Sequence, residues 1–219
     1  MSASIAFFDL DRTVISVNSL SGWMRREVKL GHLSKRRAAQ GVAWIGAYRL
    51  GFSRMEGLIR AAVADLAGNE ESVMQERTRA YFQADLINRV RPGAHAAIAH
   101  HRDRGDALYL LTASSSYLAD AVVDALGLDG ALSNRFVVEH GRLTGKAVEP
   151  ICYGPGKATL ARDLARERGV ALTDCAFYTD SYSDLPALEV VGDPVAVNPD
   201  PRLLRVARKR GWRVEDWGD

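Results

Sequence analysis

The chain has little of what marks several protein classes. Only two of its 219 residues are cysteines. Cys152 and Cys175 form no Cys-x-x-Cys pair, which excludes a disulfide framework or a cysteine-based metal site. They are expected to be ordinary buried thiols in a reducing compartment. Long apolar runs are missing as well. The stretch "GVAWIGAY" (41–48) is too short for a membrane span, which needs about 20 residues. No basic-then-apolar leader precedes the first apolar segment. A large excess of charge of either sign is absent too. The formal net charge is +2, so no strong pull toward a polyanion or a membrane surface follows. There is no internal repeat and no low-complexity segment. These absences leave a soluble, cytoplasmic globular protein, with no nucleic-acid or membrane partner expected. An apolar fraction of 47% suffices for a sizeable core, and 219 residues suit one large domain or a domain with an insertion.

What is present has two textures. Residues 5–10, 107–112, 174–179 and 194–197 read as short apolar strands. Helical patterns at 93–104, 116–126, 156–169 and 200–210 alternate with them. Such alternation predicts an α/β fold, a doubly wound parallel sheet with helices on both faces. "RFVVEHGRLTG" (135–145) reads as a hairpin appended to that sheet, turning at His140-Gly141. Residues 14–91 break the pattern. They hold helical segments near 19–30, 34–50, 54–67 and 70–89, with Gly31, Gly51 and Gly68 at their stops. Ser53 and Glu56 fit a capping box at the third. A connection this long is usually a lid or a binding module.

The first strand, in "SIAFFDLDRTV" (4–14), ends in two carboxylates one residue apart. Asp9 and Asp11 lie on one side for as long as extended geometry lasts. The carboxyl ends of parallel strands carry the ligand crevice. Two carboxylates this close repel unless a cation compensates, and oxygen-only donors suit magnesium, Mg²⁺. In isolation the pair would read as one turn cap and one solvated acid. It is not isolated. "LLTASSS" (110–116) ends a strand in Thr112 and offers Ser114, Ser115 and Ser116 at a helix start, a place suited to phosphate or to plain capping. "YGPGKATL" (153–160) puts Lys157 at another helix start, against the helix dipole, which points to a fixed anion nearby. "FYTDSYSDLP" (177–186) ends a third strand in Asp180, with Asp184 four residues on. Three strand ends and one lysine thus converge on a single crevice.

This ordered set resembles the haloacid dehalogenase superfamily. The matching residues are "DLDRT" (9–13), Thr112, Lys157 and "DSYSD" (180–184), spread over the whole core. The resemblance is to the phosphoserine-phosphatase-like group, subfamily IB, and "AVNPDPRLLRVARKRGW" (196–212) adds to it. It implies a Rossmann-like core of residues 1–13 plus 92–219 and an inserted helical cap of the first type, residues 14–91. It also implies a Mg²⁺-dependent phosphomonoester phosphatase acting on a small phosphorylated metabolite. Asp9 would form an aspartyl-phosphate. Asp11 would move protons to the leaving oxygen and from water. Asp9, the backbone carbonyl of Asp11, and Asp180 would hold the metal. Thr112 and Lys157 would bind phosphoryl oxygens, with Ser114 beside them. Asp184 would position Lys157 or a metal-bound water, Ser181 would support that loop, and Thr13 would help orient Asp11.

The substrate is less defined. In the phosphoserine enzymes a glutamate seven residues after the second aspartate reads the substrate amino group, and here that place holds Asn18. The cap arginine that reads the carboxylate falls near Ala62, with Arg60 on another side of the helix. Histidinol phosphate, other small alcohol phosphates and a lipid-like phosphate therefore stand beside phosphoserine. A phosphomutase or phosphotransferase could use the same residues. So could a phosphorylatable receiver module, although receivers are shorter and lack the helical insert. Trp23, Met24, Trp44 and Ile45 are expected to pack inward, and His100 and His101 to be surface residues.

Overall fold

The computed structural model describes residues 4–49 and 55–218, without the side chains of 42 and 44–49. The Gly51 stop, the Ser53 cap and the inward packing of Trp44 and Ile45 lie outside the described residues. Along the chain, β1 (Ile5–Phe8) is followed by four helices, α1 (Ser19–Lys29), α2 (Lys35–Arg49), α3 (Met55–Ala64) and α4 (Glu71–Tyr81). A π turn (Phe82–Leu86) and a 3₁₀ turn (Ile87–Arg89) then lead to α5 (Pro92–Asp103), β2 (Ala107–Ser115), α6 (Ser116–Leu126) and β3 (Gly130–Asn134). After β4 (Phe136–Glu139) and β5 (Arg142–Ala147) come α7 (Pro155–Glu167), β6 (Ala176–Thr179) and α8 (Leu185–Leu188). The chain closes with β7 (Asp193–Val197), α9 (Pro201–Arg210) and β8 (Arg213–Glu215).

Six strands form one parallel sheet in the order β3-β2-β1-β6-β7-β8. The order reverses between β1 and β6, so the ligand crevice is expected at their carboxyl ends. Strand alternation supplies a core on each face. Ile5 and Phe7 bury toward Ala158, Ala161 and Leu203, and Ala6 and Phe8 bury toward Ile98, Leu118 and Tyr178. The Phe8 and Tyr178 rings stack with centroids 5.1 Å apart. Helix ends follow local chemistry. The Ser115 side chain accepts from the Leu118 amide to open α6, and Gly127 closes it in the left-handed region at φ 63°.

Some expectations are corrected. β1 stops at Phe8 rather than Leu10, and β2 runs on to Ser115. Strands β3 and β8 were not anticipated; both are short edge strands of mixed polarity, without an apolar run to betray them. The predicted helix over 70–89 ends at Tyr81 and gives way to the two turns. β4 and β5 do pair antiparallel, but as a separate two-stranded sheet. That hairpin is clasped to the α3–α4 connection. Gly68 N–H donates to the Leu143 carbonyl at 2.8 Å, Leu143 N–H to Asn69 at 2.9 Å, and Glu71 N–H to Gly141 at 2.9 Å. The Arg142 guanidinium adds bonds to the Gly68 carbonyl at 2.8 Å and to Glu70 at 2.7 Å.

His101 is buried, not on the surface. Its Nδ1 lies 2.7 Å from Asp106 and its Nε2 2.9 Å from the Tyr178 hydroxyl. Burial pushes its pKa down against the pull of Asp106. His100 is exposed as expected, while Trp23 and Met24 are half-buried. No helix among the described residues is long and apolar enough to cross a membrane.

Candidate active site

The crevice forms where β1 hands over to a tight turn. Leu10 continues the alternation into the apolar core, while Asp9 and Asp11 lie off it. Arg12 then takes the left-handed region at φ 62°, unusual for a long side chain and a local strain at the mouth of the crevice. Asp9 is pinned from both sides. Its N–H donates to the Tyr178 carbonyl at 2.9 Å. Its Oδ1 accepts from Lys157 Nζ at 2.7 Å, and its Oδ2 from Thr13 Oγ1 at a long 3.4 Å.

Lys157 reaches this point because Gly156 lets α7 start against the preceding loop. A methyl group on Gly156 would collide with the Ile151 carbonyl oxygen. Its ammonium, 2% exposed, also donates to Asp184 Oδ2 at 2.7 Å. Asp184 in turn accepts from Thr179 Oγ1 at 2.7 Å. Burial alone would lower the Lys157 pKa, but the two carboxylates outweigh it and hold the pKa above its usual range. Ser181 Oγ accepts from the Ser183 N–H at 3.3 Å and lies 2.8 Å from Ser183 Oγ, closing the 180–184 turn.

Asp180, at the end of β6, is buried, and its carboxylate makes no hydrogen bond or ion pair to a described residue. Burial first, then Asp9 and Asp184, push its pKa up to about 8. Asp9 is raised to about 7, chiefly by burial, with Lys157 opposing. Repulsion from Asp11, the expected cause, contributes less than burial and Asp184. Asp11, half-buried, accepts from the Ser19 N–H at 2.6 Å through Oδ1, and burial raises its pKa as well. Among the described residues no group of three or more His, Cys, Asp or Glu side chains is arranged as a ready metal cage. The donor chemistry nevertheless fits a hard cation. Asp9 and Asp184 hold one buried ammonium, and the nearby Asp180 carboxylate has no hydrogen-bond or ion-pair partner among the described residues.

A family model described as haloacid dehalogenase-like hydrolase matches residues 6–189, from within β1 to just past α8. The chain is a haloacid dehalogenase-like hydrolase. Phosphoserine phosphatase SerB1 of Mycobacterium tuberculosis (strain H37Rv) is 32% identical over 97% of this hydrolase and 70% of its own length. A histidinol-phosphatase of Neisseria meningitidis serogroup C is 27% identical, covering 96% of this chain and 97% of its own. A solved structure of a protein of unknown function from Bordetella pertussis Tohama I aligns over 100% of both chains with a TM-score of 0.90 at 25% identity.

The structure of the hydrolase brings Asp9, Asp11, Lys157, Asp180 and Asp184 to one sheet edge, with Thr112 on the neighbouring strand. Thr112 is buried where the β2–β3 register shifts, and its Oγ1 accepts from the Ser114 N–H at 3.1 Å. Ser114 Oγ lies 3.3 Å from Ser19 Oγ. Two expectations change. Thr13 faces Asp9, not Asp11; its hydroxyl donates to Asp9 and accepts from the Asp180 N–H at 2.9 Å, which leaves it as a brace rather than a ligand to substrate. Asn18, expected as a substrate-binding residue at the place that reads the substrate amino group, instead caps α1, its Oδ1 accepting from the Ser21 N–H at 3.0 Å. Ser19, Thr179 and Asp200 were not singled out in the sequence. Asp200 accepts from the Tyr182 N–H at 2.6 Å and caps α9, which fixes the loop carrying Asp180 and Asp184. Its Asp-Pro signature resembles any helix start, so nothing in the sequence pointed to that second task.

Proposed function

We propose that this hydrolase is a phosphatase of small organic phosphomonoesters, with Asp9 as nucleophile. The observation that carries the proposal is the Asp9 carboxylate itself. One oxygen is held by Lys157, and the other has only a long contact, beside a second acid whose pKa is raised. Asp9 Oδ2 attacks phosphorus as the bond to the leaving oxygen breaks. Asp11 gives that oxygen its proton, a role suited to a carboxyl whose pKa burial raises. Asp11 then takes a proton from water, whose oxygen attacks phosphorus and breaks the Asp9–phosphorus bond. Thr112 and Lys157 face the phosphoryl oxygens as charge shifts among them. Asp9, Asp180 and the Asp11 carbonyl would hold Mg²⁺, which would supply a Lewis acid to screen carboxylate from phosphate. Residues 14–91 act as the cap over this chemistry, and the Ser19 N–H ties the cap to Asp11.

The cap gives phosphoserine no advantage over histidinol phosphate or another small alcohol phosphate. Arg60 is bonded to Glu149 at 2.8 Å and Asn18 to its own helix, so neither is set to read a substrate charge. The relatives named for phosphoserine and for histidinol phosphate bracket that range. The test is phosphate release from phosphoserine, histidinol phosphate and glycerol phosphates, with and without Mg²⁺, beside Asp9→Asn. Mg²⁺-dependent release that vanishes in a folded Asp9→Asn protein is expected. Full activity in that variant refutes the nucleophile, and transfer to an acceptor without phosphate release would make the enzyme a phosphotransferase or phosphomutase.

A further inference from the structure

A cavity of about 400 Å³ lies between α1 and the two turns that follow α4. Asn18, the cap of α1, lines it, but Asp9, Asp11, Thr112, Lys157 and Asp180 do not. Four cationic side chains line it, Arg25, Arg26 and Lys29 from α1 and Arg89 from the 3₁₀ turn, against the single acid Asp85. Arg26 is paired with that acid at 2.6 Å. The side chains of Arg25, Lys29 and Arg89 make no hydrogen bond or ion pair to a described residue. The helix dipole accounts for Arg26 and Lys29 in the last turn of α1. It does not account for Arg89, which arrives from a separate segment to face the same recess. Like charges on a convex surface diverge into water. Here they converge on a concavity of ligand-binding size, which concentrates anions.

We infer that this cavity is a second anion site, separate from the strand-end crevice, that takes a phosphate-type oxyanion. Two guanidinium forks and an ammonium match a dianionic group that accepts several charge-assisted bonds. The volume leaves room for an organic moiety beyond the phosphate. The site joins the segment by which the chain enters the helical region to the one by which it leaves. Its wall includes Tyr81, whose hydroxyl donates to the Ser19 carbonyl at 2.9 Å, while the Ser19 N–H holds Asp11. Gly22 makes room for that hydroxyl; a methyl group there would collide with it.

The test is calorimetric titration of the full chain in EDTA, where no cation neutralises the strand-end carboxylates. The probes are inorganic phosphate and glycerol 3-phosphate, each against wild type and Arg25→Gln/Arg89→Gln. Saturable binding to wild type, weakened at least about tenfold in the double variant, is expected. Tighter binding of the glycerol ester assigns the site to a phosphorylated metabolite, and equal or tighter binding of phosphate assigns it to free phosphate. No saturable binding, or equal affinity in the double variant, overturns the inference. Both positions are exposed, so the variant is expected to fold, as checked by circular dichroism. Lys29→Gln provides an independent reading, with a severalfold weaker affinity expected.

Discussion

Replacing Lys157 with methionine tests the electrostatics of the crevice directly. The side chain keeps a similar length and loses its charge. In the wild type the ammonium lies 2.7 Å from both Asp9 and Asp184, and all three groups are buried. Without it, two carboxylates face each other with no cation among their hydrogen-bond partners. Breaking a buried ion pair from one side costs about 3–5 kcal/mol, a large share of the roughly 5–15 kcal/mol that holds a domain together. The cost must depend on pH. Asp9 already titrates at about 7 with Lys157 lowering it, so its pKa rises further once the lysine is gone. A raised carboxyl pKa means that the folded state binds more protons than the unfolded one, so stability falls as pH rises from the unfolded pKa through the folded one. At about pH 5 the variant escapes much of the penalty by protonating, and at about pH 8 it bears more of it. Urea unfolding in EDTA at both pH values measures this. Arg166→Met, on the exposed face of the same helix and paired only with Asp163, is the control, expected within about 0.5 kcal/mol of wild type. An equal loss at both pH values, or a loss no larger than the control, refutes the account of Lys157 as the counter-ion of two buried acids.

Other outcomes follow from the same geometry. Asp180 has a folded pKa of about 8 and its carboxylate has no partner among the described residues, so it must shed a proton to accept a cation. Mg²⁺ should therefore raise the melting temperature more at about pH 8 than at about pH 6, and Asp180→Asn should shrink that difference to the part that Asp9, raised to about 7, contributes. A uniform Mg²⁺ shift across pH would count against Asp180 as a ligand. Asn18→Ala removes the cap of α1 and should lower stability by about 1 kcal/mol without altering the Mg²⁺ requirement for turnover. A changed substrate preference with unchanged stability would instead make Asn18 a reader of substrate.

The alternation of apolar runs and helices was sufficient to expect the parallel sheet and its helices, because each central strand is buried on both faces. Asp9, Asp11, Lys157, Asp180 and Asp184 could be anticipated for a related reason, since acids and a lysine at strand or helix ends stand out against apolar flanks. The parts that were missed depend on partners far along the chain. His101 sits in a polar stretch, and its burial follows from Tyr178, 77 residues away. Arg60 is held by Glu149, 89 residues on. Thr13 had two acids within reach, and only the close approach of β6 decides which one it serves. The hairpin was readable as a hairpin, but its attachment to the α3–α4 connection was not, because backbone bonds carry no side-chain signature.

That attachment bears on how substrate enters. A flap joined to its base by two chain crossings can swing about the line through them. Here the base grips the flap at a third point, through the β4–β5 hairpin, with Arg60–Glu149 alongside. A third anchor out of line with the two crossings opposes such a swing. Under the proposed function, a cap held in this way would act more as a fixed doorway to Asp9 than as a closing jaw.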